Sequence, residues 1–567
     1  MISRPRTSTL AGLVALGAAL PFLNGLGNDF LTWDDTIIIL GQPFLRELSL
    51  ENLQHIFSPF PAREEWLPLR DLTLAANFAL FGAQPGWFLA GNILLHAAAS
   101  VAAFFLFLRL CGDRLAAFLG ALLFACHCVH VESVTWLSGR KDPLSTLFLI
   151  LALIAYIRYR DRKAALWPAL AAFTLALLSK ANGFVFPLWL VTYDFLFRKD
   201  IGWKERIVPV IPFGLVSAAH VFLYFRQTSL DGVIEPYPEG GLLTVLLTDT
   251  VLLKDYFLAV LLPVSHQAIY QVSFIRTPWD LSFLESLGFL AGIGYLGWRF
   301  RKVPWVPFGL VLFCVNLLPY MNFIPHGIYY AERYLYLPSL SFALAAGVLL
   351  RQAIERARVR RPAALAVASL VVLLFTVHFA LAWSRNTVWA DSETFWKYQA
   401  SVLPGNPAPV MNLGETYEIL GDDARAREAY EKVARRGDQV LPEAIYRLAR
   451  IARRRGDLEK ATALYAEHAR MAPADPRPLN NMAEILIAEQ RPEEAVAIYR
   501  ILVDRCPRYL LARANLARTL ESLGRSDEAR GHWTYILEHD EMLPDLEIVR
   551  EARLRLSVSA PALPSGQ

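Results

Sequence analysis

Apolar runs of about 17–20 residues, the length that crosses a bilayer as a helix, alternate with short basic stretches over the first two thirds of the chain. They fall near residues 8–24, 88–108, 115–135, 143–158, 164–179, 183–197, 207–225, 283–299, 304–321, 337–351 and 363–383. Between them lie six basic clusters: Arg4/Arg6, Arg109/Arg114, Arg158 to Lys163, Arg198 to Arg206, Arg299 to Lys302, and Arg351 to Arg361. With positive charge kept on the cytoplasmic side, eleven spans place all six clusters inside. Residues 243–263 are apolar enough to add a span, but counting them would turn the last two clusters outward. They also carry Asp249, Lys254 and Asp255, so they are expected to form an interfacial or re-entrant helix. The same alternation puts the long loop 27–86, the turns near 136–142 and 179–182, the stretch 226–282, the loop 322–336 and everything after residue 383 on the non-cytoplasmic side. No small-residue cleavage site follows the first apolar run, which predicts an uncleaved span there.

Beyond residue 383 the pattern becomes helical and charged, and it repeats. Pro442, Pro476 and Leu510 open units of 34 residues, and Pro407 opens one that is a residue longer. A small residue recurs at the eighth position (Gly414, Ala449, Ala483, Ala517) and another at the twentieth (Ala426, Ala461, Ala495, Ala529). An aromatic recurs at the twenty-fourth: Tyr430, Tyr465, Tyr499 and Trp533. This is the tetratricopeptide period and pattern. It predicts repeats over 407–441, 442–475, 476–509 and 510–543, joined to the membrane part by a connector over 384–406. A capping helix is expected over 544–557 and a disordered tail over 558–567. Stacked helix pairs form a groove suited to a peptide or protein partner.

Composition agrees with this division. Of 567 residues 55% are hydrophobic and only 19% charged, with a mean hydropathy of +0.33; an ordinary soluble domain is about one quarter charged. The expected fold class is therefore all-α, a polytopic membrane helical domain of about eleven spans over 1–383 followed by an α-solenoid. A net charge of +4 calls for no nucleic-acid partner. The five cysteines show neither a disulfide framework nor paired zinc spacing.

Candidate chemistry lies in the outward stretches. Asp34 and Asp35 follow the first span among Phe30, Leu31, Trp33 and Ile37–Ile39; partial burial of a carboxylate there would raise its pKa and suit it to act as a base. Adjacent residues of an extended loop point to opposite sides, so only one is expected to face a substrate. His127, His130 and Glu132 sit at the outer end of a span, where read as one helix they converge poorly for a metal. They are better suited to hydrogen bonding and charge organisation. No metal site is assigned, and nothing in the sequence supports dependence on a divalent ion. Arg140 and Lys141 form a candidate phosphate clamp in the following turn. Arg333, beside Glu332 and after His326, runs against the charge bias and calls for a carboxylate or phosphate partner. Lys180 is a weaker candidate of the same type.

Taken in order, these motifs resemble a known family. They are Trp33-Asp34-Asp35, Phe81-Gly82-x-x-Pro85-Gly86 before Asn92-x-x-x-His96, the His127/His130/Glu132 block running into Gly139-Arg140-Lys141-Asp142, Leu178-Ser179-Lys180, and Ala331-Glu332-Arg333-x-Leu335-Tyr336-Leu337-Pro338-Ser339, with repeats behind them. Together they resemble the transmembrane-and-TPR-containing protein O-mannosyltransferases, a branch of the GT-C glycosyltransferases. The resemblance implies a GT-C-type membrane domain, a polyprenyl-phosphate sugar as donor substrate with no certain cofactor, and transfer of a mannose-like sugar to Ser or Thr hydroxyls on the extracytoplasmic face. It implies Asp34 or Asp35 as the acidic residue at the acceptor; charge and placement point to Arg140, Lys141 and Arg333 for the lipid phosphate, with His127, His130, Glu132, Lys180, His326 and Glu332 in support. The chain departs from the family at Cys128 and Ala181, where Pro and Glu are usual, at Leu89, where His is frequent, and at Trp66-Leu67-Pro68-Leu69-Arg70, where an Arg-Pro-Leu element is common. Compact basic loops favour a bacterial inner membrane, with the catalytic loops and repeats in the periplasm. Two rival classes are a non-catalytic membrane scaffold whose repeats recruit envelope proteins, and a GT-C enzyme acting on a lipid or glycan.

Overall fold

The computed structural model of the protein describes residues 5–59, 65–231, 236–263, 267–324, 327–436, 439–539 and 546–558. The chain divides into two units, Met1–Leu403 and Pro404–Gln567.

In the first unit each apolar segment of the sequence is helical. Among the described residues seven helices are long and apolar enough to cross a membrane: Thr7–Gly27, Pro85–Cys111, Leu137–Arg160, Trp203–Arg226, Leu281–Arg299, Glu332–Ala357 and Arg361–Trp389. An eighth is counted if Arg114–Cys126 and Cys128–Thr135, bent by 42° at their junction, form one span. The other three segments fall on the shorter apolar helices Trp167–Leu177, Ala181–Phe197 and Trp305–Tyr320. Length and composition thus support seven or eight spans where the charge pattern led to eleven. Gly241–Leu261 is one continuous helix that is not among the candidate spans. Its Tyr256 and Phe257 pack with Phe313, Tyr330 and Tyr334.

Small residues allow one close helix crossing in this unit, as expected where helices pack without a strong hydrophobic drive between them. A Cβ added at Gly347 would lie 2.4 Å from the Ala116 carbonyl oxygen, and one at Gly120 would lie 2.7 Å from that of Ala343. The Arg114–Cys126 and Tyr336–Ala357 helices therefore meet backbone to backbone.

The 115–135 segment is not the single helix expected from its hydropathy. It stops at Cys126; His127 is extended (φ −63°, ψ 123°), and a 3-10 turn Cys128–His130 leads into a short helix Val131–Thr135. The break is held by one local and one distant contact: the Val129 N–H donates to His127 Nδ1 at 3.2 Å and His127 Nε2 lies 3.0 Å from the Val260 carbonyl. The stretch expected as a connector also has structure of its own. The Arg361–Asn386 helix continues through the turn Thr387–Trp389 into a helix Ser392–Val402, all within the first unit.

The second unit is a row of helix pairs: Ala408–Ile419 with Asp423–Ala434, Pro442–Arg454 with Leu458–Met471, Arg477–Ala488 with Pro492–Arg505, and Leu510–Ser522 with Ser526–Glu538. The helix Leu546–Val558 closes the row, burying Ile548 and Ala552 in the last core cluster. Tyr430, Tyr465, Tyr499 and Trp533 are fully buried, each beside the small residues that share its repeat. Three pairs turn on a left-handed glycine (Gly421, Gly456, Gly524) and the third on Gln490 at φ +61°. The extra residue of the first repeat falls in a short hairpin, where Arg435–Arg436 pairs antiparallel with Gln439–Val440; this is the one departure from all-α structure among the described residues. Of the disordered tail expected over 558–567, Val558 is the last residue of the closing helix and 559–567 lie outside the described residues.

Gly414 leaves no room for a side chain against the aromatic of its own repeat. A Cβ there would lie 2.5 Å from Tyr430 Cε1. We predict that Gly414→Ala destabilises the repeat unit by about 1–3 kcal/mol through overpacking, measured by denaturant unfolding of the full chain followed by far-UV circular dichroism. An unchanged midpoint would contradict it.

Candidate active site

The acidic loop separates its two carboxylates. Asp35 heads a π-helical turn Asp35–Leu40 and is fully buried. Its Oδ2 accepts from the Leu31 N–H at 3.0 Å, and its Oδ1 accepts from the Ser138 N–H at 3.0 Å and the Ser138 hydroxyl at 2.5 Å. Burial pushes its pKa up to about 6 against the pull of these donors, and the charge of Asp34 adds to the rise. Asp34 is only half-buried. Asp35 thus clamps the loop to the turn Leu137–Arg140, and Asp34 is the member at the surface of the site. Trp33 reinforces the clamp by stacking on Trp136 at 4.8 Å between centroids. From the other side, Thr32 N–H donates to Ser392 Oγ at 2.8 Å and Trp33 meets Phe395 and Trp396, so the 392–402 helix is part of the loop's support.

A raised folded-state pKa means that the folded protein binds a proton more readily than the unfolded chain. Stability from Asp35 is then fully present below pH 3.8 and is lost as pH rises through about 6, a change of about 3 kcal/mol. We predict that the stability difference between the wild type and Asp35→Asn shrinks by about that amount between pH 4 and 7. Chemical denaturation across this range measures it; a difference that grows with pH would reverse the assignment.

The turn that receives Asp35 is held from behind by Asn92 and Arg140. Asn92 Nδ2 donates to the carbonyls of Val134, Trp136 and Leu137 at 3.1–3.3 Å. Arg140 is 1% exposed and donates to Asn92 Oδ1 at 2.8 Å, to the Thr73 carbonyl at 2.9 Å and to the Phe88 carbonyl at 2.8 Å. The guanidinium read from the sequence as half of a phosphate clamp is thus turned inward, onto protein acceptors. His96 and His130 have similar roles. His96 bridges the Tyr336 hydroxyl and the Ala125 carbonyl at 2.7 and 2.8 Å, and His130 Nε2 meets Ser339 Oγ at 2.8 Å.

Lys141, the other half of the clamp, points to a different set of groups. Its Nζ lies 2.7 and 2.9 Å from the two carboxylate oxygens of Glu65, which is also paired with Arg70 at 2.5 Å; Arg70 in turn pairs with Asp71 at 2.8 Å. Lys180 pairs with Asp142 at 2.5 Å and lies over the Tyr320 ring. Arg333 is bound to Glu132 through its guanidinium, and its backbone N–H donates to the same carboxylate at 2.8 Å. The Arg333 guanidinium also lies 5.6 Å from the Trp136 ring, the ring on which Trp33 stacks. Glu332 points elsewhere, accepting from the Tyr270 hydroxyl at 2.9 Å and lying 3.7 Å from Arg385. His326 lies outside the described residues. The site therefore sets Arg333 over Trp136, the ring that stacks on Trp33 beside Asp34, while Lys141 with Glu65 and Lys180 with Asp142 hold the charges of the turn that follows. It adds Glu65, Arg70, Asp142 and Arg385, which the sequence reading had not selected.

His127, His130 and Glu132 do not share a ligand position: Glu132 is committed to Arg333 and His130 to Ser339. His127 instead lies with Cys128 and His378, their ligand atoms within 4.8 Å of one another. Both ring nitrogens of His127 are already engaged by Val129 and Val260.

A multi-pass helical membrane unit followed by a tetratricopeptide solenoid defines the class of this protein. Tetratricopeptide-repeat models match residues 410–436, 444–478 and 510–533. The curated proteins it is similar to carry the family of the sequence motifs in their names. A protein O-mannosyl-transferase of Caenorhabditis elegans is 24% identical over 72% of this chain and 60% of its own length. Protein O-mannosyl-transferase TMTC3 of Homo sapiens is 24% identical over 93% of this chain and 63% of its own. The chain thus spans about three fifths of the length of these relatives. Among solved structures, the crystal structure of MamA aligns with 26% of this chain and 87% of its own at 19% identity and a TM-score of 0.24.

Proposed function

We propose that the protein is an integral-membrane glycosyltransferase that moves a mannose-like sugar from a polyprenyl phosphate to Ser or Thr hydroxyls of protein acceptors. The observation that carries this reading is the Trp33–Trp136 stack beside the half-buried Asp34, with the Arg333 guanidinium over Trp136 and Lys141 at the end of the turn that Asp35 grips, in a chain similar to protein O-mannosyl-transferases. The acceptor oxygen attacks the anomeric carbon as its proton passes to Asp34; the bond from that carbon to the phosphate oxygen breaks, and the lipid phosphate leaves. Lys141 and Arg333, with Lys180 beyond, stabilise the charge growing on the phosphate, as fixed donors do in a site with little water. Asp35, Asn92 and Arg140 position these groups and do not touch the substrate. Glu65 now occupies the anionic place between Lys141 and Arg70, which marks that place as one a phosphate oxygen can take. The reaction faces the extracytoplasmic side, in a bacterial inner membrane with the repeats in the periplasm, and the repeat groove holds the acceptor polypeptide.

The test is transfer of labelled mannose from polyprenyl-phosphate mannose to a Ser/Thr-rich polypeptide by the full chain in liposomes. Lys141→Gln is expected to raise the donor KM roughly tenfold or more, the loss of one charge-assisted contact, with the acceptor KM unchanged. Transfer to lipid or glycan acceptors with none to polypeptide would overturn the acceptor assignment.

A further inference from the structure

The Lys141–Arg160 helix has 20 residues and carries the chain about 30 Å from the Glu65–Lys141 pair to a second polar site at its far end. There a cleft of about 750 Å³ opens between Arg160, Arg162, Arg198 and Lys204. The segments 158–163 and 198–206 hold eight Lys and Arg against three Asp and Glu, a surplus of five that exceeds the net +4 of the whole chain.

The acidic groups of the cleft are already engaged. Asp161 pairs with Arg109 and Arg198, Asp200 with Arg198 at 3.2 Å, and the Glu205 carboxylate accepts from the Gly202 N–H at 3.1 Å. Arg160 is engaged too, by Asp194, the Tyr156 hydroxyl and the carbonyls of Glu205 and Arg206. Arg162 and Lys204 are exposed, and among the described residues neither has an ion-pair partner. Arg162 also adopts φ +57°, a conformation that is costly for a residue with a side chain. It is held by the turn bonds Arg162 N–H to Tyr159 O at 2.8 Å and Lys163 N–H to Arg158 O at 2.9 Å.

An apolar track begins at the same rim. Val208 lines the cleft, and Ile211, Leu215 and Phe222 continue from it as exposed positions on one face of the next helix. Trp167 and Trp203 are 71% and 65% exposed, the kind of amphipathic ring that settles at a head-group boundary. We infer that this cleft binds the phosphate head group of an anionic phospholipid, with Arg162 and Lys204 on the phosphate and the acyl chains along Val208, Ile211, Leu215 and Phe222. A soluble phosphate would have no use for the apolar track. A basic cluster that only orients the protein would need neither a cleft nor a strained Arg162.

The test uses the full chain in detergent micelles, with the binding of phosphatidylglycerol, phosphatidylcholine and inorganic phosphate followed by thermal unfolding and native mass spectrometry. Phosphatidylglycerol is expected to bind more tightly than phosphatidylcholine, and inorganic phosphate to compete poorly. The Arg162→Gln/Lys204→Gln pair should weaken phosphatidylglycerol roughly 30-fold, since each cation at a membrane surface contributes roughly fivefold. The control pair Arg158→Gln/Lys163→Gln removes the same charge from exposed positions outside the cleft and should have a clearly smaller effect. Equal losses in the two pairs would reduce the site to general surface charge. Equal binding of the two lipids, or full competition by inorganic phosphate, would overturn the lipid assignment.

Discussion

Exchanging Asp34 for asparagine is expected to lower sugar transfer by roughly 10²–10⁴-fold, the usual contribution of a general base, with little change in unfolding temperature. Asparagine keeps the size and the acceptor oxygen of the side chain at a half-buried position, so folding has little reason to respond. The loss should fall on kcat, because the proton moves only in the transition state. Asp35→Asn should behave differently. Its oxygens already accept from Leu31 and Ser138, and an amide would set a donor against one of those N–H groups. That costs stability of about 1–3 kcal/mol and lowers activity through displacement of the loop. Steady-state kinetics and thermal unfolding of the two variants side by side separate the roles; wild-type turnover in Asp34→Asn would remove the base from the mechanism.

The second large effect is expected at Glu132. Its carboxylate is 1% exposed and is paired with an Arg333 side chain that is 9% exposed. Removing the charge by Glu132→Gln leaves a buried guanidinium without its counter-ion, a loss of about 3–5 kcal/mol. The double variant Glu132→Gln/Arg333→Met removes both charges and should recover much of that stability, as buried pairs replaced together often do. It should not recover sugar transfer, because the cation over Trp136 is gone. Detergent-based unfolding with a parallel activity assay checks both; single and double variants of equal stability would show that the pair is not coupled.

The repeats were legible because their signal is redundant. Tyr430, Tyr465, Tyr499 and Trp533 return at a fixed spacing, and each is buried beside the small residues that share its unit. The hydrophobic segments were legible for the same reason, although hydropathy carries no information on where a helix breaks. The stop at His127 depends on a ring nitrogen accepting from Val129 and on a carbonyl that arrives from Val260, a partner more than a hundred residues away. Arg140 and Lys141 look alike in sequence, and only the 3-10 turn that ends at Arg140 decides which faces inward. Glu65 and Arg70 carry no repeated spacing, and the charge pattern assigns 27–86 to a loop, whereas Arg70 lies in the first turn of a helix Pro68–Phe81. Arg70 ends the Trp66–Arg70 stretch, and its neighbour Asp71 is the sequence sign that the charge there has a partner.

Residues 123–140 are buried without interruption, unlike an ordinary helix, which hides one face and shows the other. Tolerance to change in this band should not follow the 3.6-residue rhythm of a helix, since there is no outward side on which to accept a new group. The stretch acts as a fixed anvil against which other parts work. If the proposed transfer takes place, the adjustment that admits a donor and releases a product is expected to come from the elements facing this band.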